Sequence, residues 1–139
     1  MRAIISLAAV LWLGATALPA LAQQPAPPPA TQGASGVKRT ILQRFDVPGT
    51  NLETIVAVVE LAANVKAGRH SHPGNVVGYV AEGEFFMTFD GEAERSLKAG
   101  DSIVVPTGAL HDEGTKDKPA KLIATYVVEK DKPLAAAAK

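Results

Sequence analysis

The three histidines of the chain, the only ones it has, fall in two short stretches: Gly68-Arg69-His70-Ser71-His72-Pro73-Gly74 and Pro106-Thr107-Gly108-Ala109-Leu110-His111. In an extended strand alternate side chains share a face, so His70 and His72 point the same way. A third imidazole brought in from a distant strand completes a coordination face for one metal ion. The chain contains no cysteine, which excludes iron–sulfur clusters, thiolate zinc sites and disulfides. Any metal must therefore be held by imidazole nitrogen. A histidine pair of this kind is more often a surface or core feature than a ligand pair, and the surrounding elements decide between the two.

Those elements read as strands. After His72 comes a Pro-Gly turn and the apolar run Val76 to Ala81, then Glu82-Gly83-Glu84 and a second run, Phe85 to Phe89. Asp90-Gly91 is a hairpin signal, and Ala99-Gly100-Asp101 precedes Ser102 to Val105. Strands are expected at residues 40–46, 54–61, 65–72, 76–81, 84–89, 94–97, 102–105, 110–114 and 122–129. Many short runs punctuated by Gly, Pro and Asp predict an all-β double sheet. The histidines then lie at strand ends, where loops leave room for a ligand.

At these residues the sequence resembles the cupin family. The family's first motif has two histidines one residue apart, a glutamate three or four residues on, and a later glycine; His70, His72 and Gly83 fit it. The second runs glycine, proline, glycine, histidine, and Gly100, Pro106, Gly108 and His111 match it at every spacing. The motifs cover residues 64–115, and the strands around them extend the likeness to roughly 38–130. The resemblance implies a double-stranded β-helix, or jelly-roll, barrel with His70, His72 and His111 as metal ligands. Three positions depart from the pattern: the opening glycine falls on Asn64, the closing asparagine on Thr115, and the usual glutamate ligand on Val76.

Val76 bears on the chemistry because valine cannot bind a metal. Three neutral imidazoles leave a divalent ion near a net charge of +2, whereas a glutamate would lower it to about +1, so the site expected here is a strong Lewis acid that favours anionic ligands. It is also open, with about three free positions on an octahedral ion and one on tetrahedral zinc. Fe, Zn, Mn, Ni and Cu all suit such a site, and the sequence does not choose among them. Three-histidine cupins include thiol and diketone dioxygenases, so the resemblance implies dioxygenase-type cleavage first and isomerase or lyase chemistry second, on a small chelating molecule. The alternative is a non-catalytic periplasmic protein that binds a metal or small ligand. A third reading is a purely structural barrel.

Among the neighbours, Glu113 shares His111's face by strand alternation and is the candidate catalytic residue, as general base or as acceptor for an imidazole N–H. Asp112 has the opposite parity and is expected in solvent. Asn75, a weaker candidate for a substitute ligand, should face away from Val76. Arg69 and Ser71 flank the histidines on the other face. Phe85, Phe86, Phe89 and Tyr79 read as core, some of them as pocket wall.

The rest of the chain concerns organisation. Met1-Arg2, the apolar stretch Ala3 to Leu18 and an A-x-A site at Ala20 to Ala22 read as a signal peptide over residues 1–22, implying a periplasmic or secreted protein. Residues 23–36 form a Pro-rich flexible linker, residues 37–133 the cupin domain, and residues 134–139 a tail expected to fray. Cleavage removes Arg2 from the 14 basic residues against 14 acidic ones, leaving a net charge of −1. No basic block suggests nucleic acid or an anionic membrane surface, and neither is expected as a partner. The expected partner is a small-molecule ligand or substrate. The edge strand at residues 40–46 is a natural element for a homodimer.

Overall fold

The computed structural model describes residues 36–138, and the expected signal peptide and all but the last residue of the linker lie outside them. Among the described residues ten strands follow one another: β1 (Val37–Asp46), β2 (Leu52–Leu61), β3 (His70–Ser71), β4 (Gly74–Glu82), β5 (Glu84–Phe89), β6 (Arg95–Lys98), β7 (Ser102–Val105), β8 (His111–Gly114), β9 (Ala120–Glu129) and β10 (Ala136–Ala137). They form two five-stranded antiparallel sheets, ordered β1-β2-β9-β4-β7 and β10-β3-β8-β5-β6. This is the expected all-β double-stranded β-helix.

Period-two patterning builds the first sheet. On β2, Glu53, Ile55, Ala57, Val59 and Leu61 turn inward, and on β9 Ala120, Leu122, Ala124, Tyr126 and Val128 do the same. The second sheet answers with Phe85, Met87, Phe89 and Leu97, so the core lies between the sheets. Tyr79 does not join it. On β4, Val76 and Val80 face inward, which turns Val77 and Tyr79 outward and leaves both about half exposed.

The neighbouring strands β4 and β9 approach tightly just beyond the His-x-His stretch. A Cβ on Gly74 would lie 2.0 Å from the Val127 carbonyl oxygen and 2.6 Å from the Val128 Cα, both backbone atoms of β9. Only glycine lets β4 begin against β9 immediately after His72.

Two motif departures are conservative in backbone terms. Asn64, standing where the family has glycine, holds the left-handed φ of 58°, and asparagine tolerates that region better than other side chains. Thr115, in the place of asparagine, is buried; its hydroxyl donates to the Ala62 carbonyl and accepts from the Val65 N–H at 3.3 Å. It ties the loop after β2 to the end of β8.

The strand expected over 65–72 is broken. Gly68 sits at φ 86° and donates its N–H to the Asp112 side chain at 3.0 Å, so regular pairing is interrupted between an isolated bridge at Lys66 and the short β3. The C-terminal tail is not frayed through residues 134–138. Leu134 is buried in the core and Ala136 and Ala137 pair with Ser71 and His70, so an open sheet edge captures what composition alone leaves unstructured.

Replacing Gly74 by alanine should lower unfolding free energy by about 2 kcal/mol, the typical cost of overpacking. Urea melts check this; an unchanged midpoint would show that β4 can shift away from β9.

Candidate metal centre

β3 and β8 pair so that His70 stands directly opposite His111, and β8 pairs with β5 so that His111 stands opposite Phe89. His72 follows β3 by one residue and is fixed by its own carbonyl, which accepts from the Gly108 N–H at 3.0 Å. Gly108 makes that turn at φ 72°. The pairing brings together the three imidazoles as expected: all are buried, one nitrogen of each lies within 4.8 Å of the others, and ring centroids are 4.3 to 5.1 Å apart.

Each ring is oriented by a backbone carbonyl. Nδ1 of His70 lies 2.7 Å from the Gly68 oxygen, Nδ1 of His111 lies 2.9 Å from the Ala109 oxygen, and Nδ1 of His72 lies 2.7 Å from the Leu134 oxygen. A carbonyl only accepts, so Nδ1–H donates in all three cases, and in the neutral ring Nε2 carries a lone pair. Such an outer hydrogen bond sets the tautomer of a metal-ligating histidine. The break at Gly68 therefore has a use: it turns that carbonyl toward the ring two residues on.

Burial acts in the same direction. Desolvation first, against the opposing hydrogen bond to Leu134, pushes His72 from its ordinary 6.5 down to about 4. His111 is also lowered by desolvation, opposed by its bond to Ala109 and by the Glu113 carboxylate. Both stay neutral and ligand-competent at ordinary pH.

Glu113 comes to the same place. Its Oε2 is 3.4 Å from His111 Nε2 and its Oε1 is 3.8 Å from His70 Nε2, and Oε2 is buried without any hydrogen-bond partner. The expected role as acceptor for an outer imidazole N–H is not what the geometry provides, since those N–H groups are spent on backbone carbonyls. The expected charge also changes: a divalent ion here would sit beside one carboxylate, near +1 rather than +2. An unpaired buried carboxylate oxygen beside imidazole lone pairs is costly without a cation, so the donor set fits a divalent metal.

The remaining candidates separate cleanly. Asn75 faces away and accepts from the Thr107 N–H and hydroxyl at 3.0 and 3.1 Å, so it is no ligand. Arg69 is exposed and paired with Asp90, and Asp112 caps Gly68. Phe85, Phe86 and Phe89 are buried.

Sequence reasoning missed Tyr126 and Arg39. Tyr126 packs edge-on to His72 at 5.5 Å between ring centroids, accepts from Arg39 Nε at 3.1 Å, and is raised above its usual pKa chiefly by desolvation. Strand parity on β9 could have found it. With His72, His111 and Glu113 it borders an interior cavity of about 40 Å³, walled mainly by aliphatic side chains of both sheets. That is room for about three waters. A larger surface depression of about 340 Å³ beside Glu84 and Lys116 includes none of the histidines.

Residues 57–126 match the cupin domain family model. The chain belongs to the cupin family. No curated protein matches it. Among solved structures this cupin is similar to an RmlC-like cupin from Shewanella frigidimarina, at 28% identity and TM-score 0.59 over 74% of this chain and 86% of that one. It is also similar to the DMSP lyase DddQ from Ruegeria pomeroyi, at 23% identity and TM-score 0.57 over 60% of this chain, and spans only 42% of that lyase. A third is the polyketide cyclase RemF from Streptomyces resistomycificus, at 18% identity and TM-score 0.62 over 80% and 82%. The last two likenesses concern the fold alone.

Two outcomes follow from the way the rings are held. A protein ending at Pro133 loses the Leu134 carbonyl and should bind zinc about 10- to 100-fold more weakly in chelator competition, whereas Leu134→Ala, which keeps the carbonyl, should stay within a few-fold of the parent. Equal affinities for the truncated and full proteins would remove the tail from the site.

In the metal-free protein, between pH 6.5 and 4 the unfolded chain takes up a proton at His72 that the folded one does not. Stability should therefore fall with pH across that window by roughly 3 kcal/mol and level off below it. Urea melts of parent and His72→Gln check this, because the variant should lack that part of the slope.

Proposed function

We propose that this cupin is an exported metalloenzyme that uses one divalent ion, held by His70, His72 and His111, for proton-transfer chemistry of the lyase or isomerase kind on a small chelating anion. The observation that carries the reading is Glu113, whose carboxylate stands 3.4 to 3.8 Å from the Nε2 atoms of His111 and His70.

The resemblance puts dioxygenase chemistry first because a valine stands where the family's glutamate ligand belongs. With Glu113 in the cavity, the ground for likening this centre to the carboxylate-free oxygenases weakens, and a base is in place. His70, His72 and His111 would hold the ion, which when bound would polarise a carbonyl or carboxylate oxygen of the substrate and so acidify the neighbouring C–H. Glu113 accepts that proton; it returns it to a different carbon in an isomerisation, or a β-leaving group departs with its electron pair in an elimination. Tyr126, held by Arg39, borders the cavity and offers a phenol to the substrate's oxygens. The guanidinium lies 5.6 Å from the Tyr126 ring centroid and adds positive charge that favours an anionic ligand.

The test uses protein loaded in turn with Zn, Mn, Fe, Ni and Cu, in deuterated buffer, with a panel of small 2-oxo, 3-oxo and 3-hydroxy carboxylates. The reading expects deuterium incorporation or elimination without oxygen uptake, abolished in His72→Ala. Oxygen consumption coupled to substrate loss would restore the oxygenase reading. Tight ligand binding with neither exchange nor oxygen uptake would make the protein a receptor.

A further inference from the structure

We infer that Glu113 is also a metal ligand, so that the carboxylate which the family pattern places at position 76 is supplied here from β8, making a three-nitrogen, one-oxygen centre for a divalent first-row transition ion. The inference rests on the reading that an ion lies between the three imidazoles.

Distances favour it. Ligand atoms about 2.0 to 2.1 Å from one ion are about 3.0 Å apart at right angles and about 3.3 Å apart at tetrahedral angles. Glu113 Oε2, 3.4 Å from His111 Nε2, is close to the tetrahedral spacing, and Oε1, 3.8 Å from His70 Nε2, lies about half an ångström beyond it, without an ion to draw the carboxylate in. Hydrogen-bond accounting favours it further. Oε2 is buried and unpartnered, while all three Nδ1–H donors are committed to the carbonyls of Gly68, Leu134 and Ala109. The Arg39 Nε–H is committed to the Tyr126 hydroxyl. A cation between the carboxylate and the Nε2 lone pairs would satisfy Oε2 and leave those donors on their present partners.

Placement accounts for the tolerance of Val76. Val76 on β4 and Glu113 on β8 line the same interior cavity from different sheets, so a carboxylate reaching in from either strand can serve one ion. The aliphatic side chain at 76 then forms a dry wall. A carboxylate has two oxygens, so ligation through one leaves the other to take the substrate proton, and the ligand role is compatible with the base role.

Zinc alone, titrated against a competing chelator, is the probe. Glu113→Gln is nearly isosteric and should fold as the parent does, which thermal melting confirms; it should bind zinc at least about tenfold more weakly. Glu113→Ala should lose at least as much, and Val76→Glu added to Glu113→Ala should regain most of the affinity, because the carboxylate returns to the family's usual position. Cobalt substitution adds a spectroscopic reading, with the visible bands of the parent altered in Glu113→Gln and moved back toward the parent's in the double variant. If Glu113→Gln binds zinc as tightly as the parent while His72→Ala loses it, the metal site stands and the ligand role of Glu113 is overturned. If the parent itself does not bind zinc, the reading beneath falls, and this inference with it.

Discussion

One arrangement governs this molecule: imidazole lone pairs and a partnerless carboxylate oxygen meet in a buried cavity whose ring N–H donors are already spent. Nδ1–H of His70, His72 and His111 each donate to a backbone carbonyl, which leaves Nε2 as an acceptor beside another acceptor, Glu113. Groups of that kind are not packed together for stability, since each gives up hydration and none gains a donor. The balance is restored when a cation enters. The site is thus prepared at a cost to the metal-free fold, which is characteristic of a functional centre.

The architecture supplies each part of this arrangement by a different route. His70 and His111 are set opposite one another by strand pairing, and each bonds the carbonyl two residues before it, so their orientation is local. His72 depends on the far end of the chain, through Leu134 and the short strand that closes over the sheet edge. Glu113 reaches the same cavity because residues 111 and 113 share parity on β8. Two rings are thus held within the motifs, and one is held by the tail. The metal centre joins the loop before β3, the turn before β8 and the C-terminus into one unit.

Much of this was legible in the sequence. Alternation on the long strands, Gly-Pro punctuation and the two histidine stretches led to the double sheet and the histidine cluster, because those signals are local and periodic. Backbone geometry was less visible. The break at Gly68 and the capture of Ala136 and Ala137 depend on partners far away in sequence, and a run of alanines carries no side-chain signal for strand pairing. Parity placed Glu113 near His111, but which imidazole nitrogen it would face depends on where the Nδ1–H groups donate. Val76 alone suggested a carboxylate-free centre; the carboxylate was present on another strand. Tyr126 lies on β9, outside both histidine motifs, where only strand parity marks it as inward.

The measurement that bears most directly on this account is anomalous scattering from crystals of the protein reconstituted with a single transition metal. One strong peak is expected at about 2.0 to 2.2 Å from the Nε2 atoms of His70, His72 and His111, with the Nδ1 atoms still on their three carbonyls. No peak there after reconstitution, or coordination through Nδ1 with the carbonyl bonds broken, would contradict it.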